Sequence, residues 1–257
     1  MELAGRQQRA LVAALLASLL LWNLPLGGLV MYPFKLLATW MHELSHGLVM
    51  LVTGAGFSRL EIFRDTSGIA FAEHGVGSAA RAAIASAGYM GASLCGGVLL
   101  VLGQSARGAR RVLLGLAAAL VLSLIFWVRN RFGVGAVATG AAALLLAAWL
   151  APRTLALFLV NFVAAQACIN AVLDIRVLFR PQLVINGAVV DASDAHNMAA
   201  HTFGSHTLWA TVWLVFSFVC FYAALRIIYL RQKRAAAAPA APLAAAEPGA
   251  SRAPTTP

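Results

Sequence analysis

The sequence has little charge and very few acidic residues. Only 11% of its 257 residues are charged, and nine of them are Asp or Glu, whereas a water-soluble domain usually carries about 25% charged residues. Hydrophobic residues make up 61% and recur in uncharged stretches of roughly 20 residues, the length that crosses a bilayer as a helix. This composition excludes a soluble globular protein and a generally disordered one. A β-barrel is disfavoured because its strands alternate apolar and polar residues.

Cysteine is also scarce, and the excess of positive charge is dispersed. The three cysteines, Cys95, Cys168 and Cys220, all lie inside apolar stretches. They form neither a disulfide pattern nor a C-x-x-C metal motif, which predicts packing residues. The net charge is +10, but the basic residues lie singly or in short clusters between the apolar stretches. This distribution is typical of membrane helix ends that face anionic lipid, so we expect no nucleic-acid partner.

The apolar stretches predict an all-α polytopic membrane protein with about seven transmembrane helices. The predicted spans are at about 11–31, 33–53, 79–104, 111–128, 132–150, 154–177 and 207–229. The first could instead be a signal peptide, because Arg6 and Arg9 precede it, but no cleavage site is obvious and a retained helix is favoured. Pro25, followed by Gly27 and Gly28, predicts a kink or an early end of that helix.

Two polar segments interrupt the spans. In residues 57–75, bulky residues alternate on either side of Asp65-Thr66-Ser67-Gly68, which predicts a short β-hairpin after the second span. An irregular polar loop is the alternative there. Residues 178–206 are predicted to form a second polar loop, in which Ser193 caps a short helix through about residue 203.

The predicted organisation has three parts. Residues 1–32 form an N-terminal tail and the first transmembrane helix, and residues 33–230 form the membrane core. Residues 231–257 are rich in Ala and Pro, which predicts a disordered tail because such a segment cannot bury a core.

The second span contains a motif with candidate metal-binding and catalytic residues, His42-Glu43-Leu44-Ser45-His46. Ionisable groups inside an apolar span are costly and mark function by default. His42 and His46 are four residues apart, so both imidazoles lie on one helical face and can reach one tetrahedral Zn²⁺. Glu43 is then placed to act as a general base toward the attacking water. A chance match is the alternative, and the position inside a span favours the metal site.

A catalytic zinc usually has three protein ligands and one open position, so a third ligand must come from elsewhere. Asp174, near the end of the sixth span, is predicted to supply it, and an ion pair with Arg176 is the alternative role. Asp194 in the second polar loop is the alternative third ligand. Asp194 itself and three further candidates are each expected to be solvated loop residues, the three being His74, His196 and His201.

Small residues recur every fourth position in the third span, at Gly88, Ala92 and Gly96. This spacing permits the close approach of another helix, such as the one that carries the two histidines. Ordinary membrane packing is the alternative.

The sequence resembles the site-2 protease family of intramembrane zinc metallopeptidases, and more closely its compact bacterial branch without PDZ domains. The similarity lies in residues 42–47, 53–54, 86–91, 170–174 and 193–195. It implies that His42, His46 and Asp174 hold Zn²⁺ and that Glu43 is the general base. Better-known members have Leu-Asp-Gly where this chain has Leu173-Asp174-Ile175, and Asp194 is kept as the alternative for that reason.

The resemblance further implies a zinc metalloendopeptidase of the cell membrane, whose partners are the lipid bilayer and membrane-embedded protein substrates, as in regulated intramembrane proteolysis. The hairpin would offer an edge to an unwound substrate, and Asn170 would contact the substrate or an intermediate. A non-enzymatic polytopic protein with a structural or transported metal is the alternative. It is disfavoured because only Glu43 and Asp174 are acidic residues within the spans. The oligomeric state is left open.

Overall fold

The computed structural model describes residues 2–175, 183–190 and 193–237, and most of them are helical. Seven long helices are α1 (Glu2–Asn23), α2 (Gly27–Val52), α3 (Ser78–Leu102), α4 (Ala106–Phe126), α5 (Arg131–Leu150), α6 (Arg153–Ile175) and α8 (His206–Ala237). A short helix, α7 (Asp194–His201), precedes the last of them. Two hairpins complete the structure, β1 (Arg59–Ile62) with β2 (Gly68–Phe71), and β3 (Leu183–Ile185) with β4 (Ala188–Val190). The predicted all-α fold with a hairpin after the second span is confirmed.

Within the described residues, five helices are each long and apolar enough to cross a membrane, namely α3, α4, α5, α6 and α8. Residues Arg9–Asn23 and Gly27–Val52 together form a sixth candidate span that is bent by 118°. The chain is therefore a multi-pass membrane protein. The bend lies at residues 24–26, because Pro25 cannot continue α1. The predicted early end of the first helix is confirmed, and α2 therefore begins at Gly27 and not near residue 33. Gly27 is required there, since a Cβ would lie 1.6 Å from the Leu21 carbonyl oxygen.

Helix α3 lies centrally and packs against α2, α6 and α8. Its glycines allow close approach, as their spacing predicts. A Cβ on Gly96 would lie 2.6 Å from Sγ of Cys168 on α6. The hydroxyls of Ser93 and Ser217 are 2.7 Å apart and form a buried hydrogen bond between α3 and α8. Such small residues and buried hydroxyls replace the hydrophobic driving force that is missing between helices in lipid.

The first hairpin lies against α2. Its strands pair in antiparallel register from Arg59↔Phe71 to Ile62↔Gly68. The other edge of β1 is occupied by the segment between α4 and α5, because the Leu60 N–H donates to the Trp127 carbonyl oxygen at 2.8 Å. Among the described strands, β2 is therefore the edge strand of this small sheet, and it packs on α2.

The second hairpin was not predicted, because residues 178–206 were interpreted as a polar loop. Asn186 and Gly187 connect β3 to β4 with φ angles of 50° and 76°, as a type I′ turn requires. An Asn-Gly pair between apolar residues is a strong hairpin signal that the interpretation overlooked. Helix α7 is confirmed, with the Ser193 hydroxyl accepting a hydrogen bond from the His196 N–H at its start.

The predicted disordered tail begins at residue 231, whereas α8 continues to Ala237. Residues 238–257 lie outside the described residues.

A candidate metal centre on α2

The histidines of α2 converge with one carboxylate. The Nε2 atoms of His42 and His46 lie 3.0 Å apart, and each lies 3.3 Å from Oδ2 of Asp194. The three side chains thus offer three ligand atoms around a common point and could hold a metal ion. No other group of three or more such residues occurs among the described side chains.

Asp194 reaches the histidines because it opens α7. Ala195 and Met198 bury the apolar side of this short helix in a cluster with Tyr89 and Trp213. Burial alone would raise the pKa of the Asp194 carboxyl, but the nearby His46 and hydrogen bonds from both histidines outweigh burial and hold that pKa below its usual value. The carboxylate therefore stays charged, which is the form that binds metal.

The two imidazoles are oriented by different contacts. Nδ1 of His46 donates to the Ile84 carbonyl oxygen at 2.6 Å, which fixes the orientation of the ring with Nε2 facing Asp194. The ring of His42 meets the edge of Tyr89, with centroids 4.5 Å apart and planes at 84°. Tyr89 in turn stacks on Trp213 of α8 at 5.3 Å. Helices α3 and α8 therefore both contribute to the position of the candidate ligands.

Gly88 on α3 leaves space for the two imidazoles because it has no side chain. A Cβ at this position would lie 2.3 Å from Nε2 of His42 and 2.4 Å from Nε2 of His46. Any larger residue would therefore overlap the two candidate ligand atoms.

Glu43 lies between the histidines and the first hairpin. Its side chain is buried, with 7% of the residue exposed. A Cβ on Gly68 of β2 would lie 2.7 Å from Glu43 Cγ and 2.8 Å from Thr39 Cγ2. The edge strand thus fixes the carboxylate beside the candidate metal position.

The structure brings His42, Glu43 and His46 together with Asp194, the alternative third ligand. Asp174 belongs to the last turn of α6, but its side chain lies outside the described residues. Asn170 is 3% exposed, and its Nδ2 has no hydrogen-bond partner among the described residues.

The histidines expected in loops are not members of this cluster. His74 is solvated, with 69% of its side chain exposed. His196 instead stacks on His206, with ring centroids 4.2 Å apart, and His201 ends α7.

Sequence reasoning missed several residues that shape the site. The Ile84 carbonyl is a backbone group, so no residue type could reveal it. Tyr89 carried no signal beyond its place beside Gly88, which the small-residue spacing did identify. Gly68 was interpreted only as a turn residue, because its contact with Glu43 depends on how the hairpin packs against α2.

His46 is buried, His42 and Asp194 are half-buried, and the three lie next to the buried Glu43. In a multi-pass membrane protein, this cluster of residues from α2 and α7 defines a candidate metal centre. The family model for peptidase M50B-like proteins matches residues 11–224, which include all four of these residues. The chain therefore belongs to the peptidase M50B-like family, within the site-2 protease family, and its described residues contain no PDZ domain. No curated protein and no solved structure was found to match it significantly.

Proposed function

We propose that the protein is a zinc-dependent endopeptidase of the cell membrane that hydrolyses peptide bonds of membrane-embedded proteins. The observation that carries this proposal is the buried Glu43 carboxylate beside the converging side chains of His42, His46 and Asp194. Membership of a metallopeptidase family supports it.

The donor set fits zinc. Ligand atoms bonded at about 2.0–2.1 Å in a tetrahedron lie about 3.3–3.4 Å apart. The three separations here are 3.0, 3.3 and 3.3 Å. Two imidazoles and one carboxylate also leave one position open, as in catalytic zinc sites. Zinc held by these residues would supply Lewis acidity, which lowers the pKa of water and polarises a carbonyl group.

Glu43 is assigned the proton transfers. Its carboxylate would accept a proton from the attacking water and then donate it to the leaving amine of the cleaved peptide. Burial and the contact with β2 hold it in position for both steps. We assign contact with the substrate or an intermediate to Nδ2 of Asn170, which has no hydrogen-bond partner within the described part of the chain.

The substrate would need to be locally unwound, because a membrane helix hides its peptide bonds. The outer edge of β2 is the described element best placed to pair with such an extended segment. This edge runs beside Glu43, so a segment added there would lie next to the general base.

Asp194 and Asp174 are the two candidates for the third zinc ligand. We assign it to Asp194, because its carboxylate contacts both histidines. Helix α6, which carries Asp174, ends in the same region, since Ile175 packs in one cluster with Tyr89 and Ala195.

Zinc per chain should be measured by elemental analysis in the detergent-purified parent, Asp194→Ala and Asp174→Ala. We expect about one zinc in the parent and its loss in Asp194→Ala. Loss in Asp174→Ala alone would move the assignment to α6.

Activity is tested with the full chain reconstituted beside a panel of tagged single-span membrane proteins. Glu43→Gln should retain zinc and lose cleavage, because glutamine cannot move the proton. Cleavage by that variant would defeat the assigned role of Glu43. An absence of zinc in the parent, under conditions that exclude stripping, would defeat the proposed function as a whole.

A further inference from the structure

A cavity of about 560 Å³ lies between α2 and α5, away from the metal centre. Leu36, Leu37 and Trp40 form its wall on α2. Trp40 precedes His42 by two residues and therefore points to the opposite side of that helix. The cavity thus forms a groove beside the helix of the candidate ligands but does not include those ligands. Its volume is within the range of about 300–1,000 Å³ that is typical of ligand sites.

The wall on α5 follows the helix axis and includes several small residues. Gly135, Gly140 and Ala143 line it, and a Cβ on Gly135 would meet no atom within 4 Å. The lining begins at Arg131 and ends at Ala143, a distance of about 18 Å at 1.5 Å per residue. One leaflet of a bilayer has a hydrocarbon depth of about 15 Å. The length of the groove is therefore close to the hydrocarbon depth of one leaflet, and it is much shorter than a transmembrane helix.

The start of the groove is cationic. Arg131 is the first residue of the candidate span α5 and is exposed. Its guanidinium forms no hydrogen bond or ion pair with the described residues. The guanidinium of Arg64 lies 5.8 Å from the ring of Phe132, which also lines the groove.

Among the described residues, neither acidic group of the adjacent hairpin forms an ion pair with Arg64 or Arg131. Glu61 forms an ion pair with Arg59 at 2.9 Å. Asp65 accepts hydrogen bonds from the N–H and the hydroxyl of Ser67. The positive charge at the start of the groove is therefore available to an external anion.

We propose that this groove binds one phospholipid with an anionic headgroup, whose acyl chain lies between α2 and α5 and whose phosphate lies at Arg131 and Arg64. The apolar walls, the length of one leaflet and the cationic end each fit this occupant. A substrate helix is disfavoured because it would need about 30 Å of groove. The bound lipid would fill the space beside the helix that carries His42 and His46.

The test uses the full chain in detergent and a phosphatidylglycerol with a photoactivatable diazirine on its acyl chain. Labelled peptides are mapped by mass spectrometry, and unlabelled phosphatidylglycerol or phosphatidylcholine with matched chains competes for the site. We expect the label to concentrate on the peptides of α2 and α5 that line the groove. Phosphatidylglycerol should compete at least about fivefold better than phosphatidylcholine, since one basic residue near anionic lipid contributes about 1 kcal/mol.

Two matched pairs of variants make the test specific. Gly135→Leu should fill the groove and abolish the concentrated labelling, whereas Gly115→Leu should not. Gly115 is also a glycine of a candidate span with no atom within 4 Å of its Cβ position, and it does not line the groove. Arg131→Gln should reduce the preference for phosphatidylglycerol over phosphatidylcholine about fivefold. Arg153→Gln should not, although Arg153 likewise begins a span and is exposed.

Labelling spread evenly over all spans, or unchanged in Gly135→Leu, would overturn the site, because it would indicate only the surrounding lipid. Equal competition by the two lipids would overturn the assigned headgroup contact. Thermal unfolding of each variant without added lipid shows whether it is folded. A variant that unfolds is replaced by Ala136→Leu, on the same groove wall, with Ala138→Leu, which does not line the groove, as its control.

Discussion

Nδ1 of His46 on α2 donates a hydrogen bond to the carbonyl oxygen of Ile84 on α3, at 2.6 Å. The contact fixes one candidate ligand by a backbone group of another helix. Its geometry therefore depends on how closely α3 approaches α2, and the glycines of α3 set that distance. The site can be perturbed in steps by substituting the small residues around it.

Gly88→Ala should abolish zinc binding, because the new Cβ would lie within 2.4 Å of Nε2 of both histidines. We expect zinc per chain to fall to near zero by elemental analysis. Gly97→Ala is the control on the same helix, since its Cβ would meet its nearest neighbour at 3.5 Å, an ordinary contact. Normal zinc content in Gly88→Ala would show that the imidazoles are not held where the structure places them.

Gly68→Ala should separate catalysis from metal binding. The added Cβ would press on Glu43 Cγ at 2.7 Å and leave the histidines untouched. We expect about one zinc per chain and cleavage reduced roughly 100-fold, as for a displaced general base. Gly75→Ala should behave as the parent, because a Cβ there meets nothing within 4 Å. Full cleavage by Gly68→Ala would contradict the placement of Glu43 against β2.

Tyr89→Leu should weaken zinc binding about tenfold, as is common when the support of a ligand is removed. The ring of Tyr89 meets His42 edge-on, and leucine cannot reproduce this contact. The measurement is a zinc dissociation constant from competition with a chromogenic chelator. Tyr89→Phe keeps the ring and should stay close to the parent value. An equal loss in both variants would assign the support to the hydroxyl group.

Asp65 should make the hairpin turn sensitive to acid. Its partial burial would raise the pKa, but hydrogen bonds from the hydroxyl and N–H of Ser67 outweigh burial and lower it. A carboxyl with a lowered pKa stabilises the fold fully above its unfolded pKa of about 3.9 and loses that contribution as the pH falls through the folded value.

Protection of the Asn186 amide against hydrogen exchange reports this turn, because that N–H donates to the Ser67 hydroxyl at 3.2 Å. We expect protection at pH 6 and its progressive loss below about pH 4. Asp65→Asn should remove this pH dependence, and Glu73→Gln, outside the turn, should retain it. A parent protein with unchanged protection down to pH 2 would refute the role of Asp65.

Much of this architecture follows from the sequence because lipid restricts what an apolar stretch can do. Uncharged runs of span length predict helices without knowledge of their packing, and the 42–46 motif specifies one face of one helix. The hairpin at 57–75 and the cap at Ser193 were predicted because turn and cap residues act locally. The second hairpin was overlooked although Asn186 and Gly187 carried the same kind of local signal.

The third ligand beside the two histidines could not be predicted from local sequence signals. Asp174 and Asp194 both follow apolar segments, and their distances to α2 depend on the packing of α6 and α7 against α3. Sequence spacing contains no information on that packing. For the same reason, the contact of Gly68 with Glu43 became visible only once the hairpin was placed against α2.

The separation of 152 residues between His42 and Asp194 has a mechanical consequence. An ion held by both would act as a removable cross-link that closes a very long loop, in the manner of a disulfide between distant cysteines. It would fasten the C-terminal pair α7 and α8 to the N-terminal half of the chain. Chelation would remove this link without breaking a covalent bond, so Asp194 would lose its connection to α2 while α7 and α8 stay packed against α3.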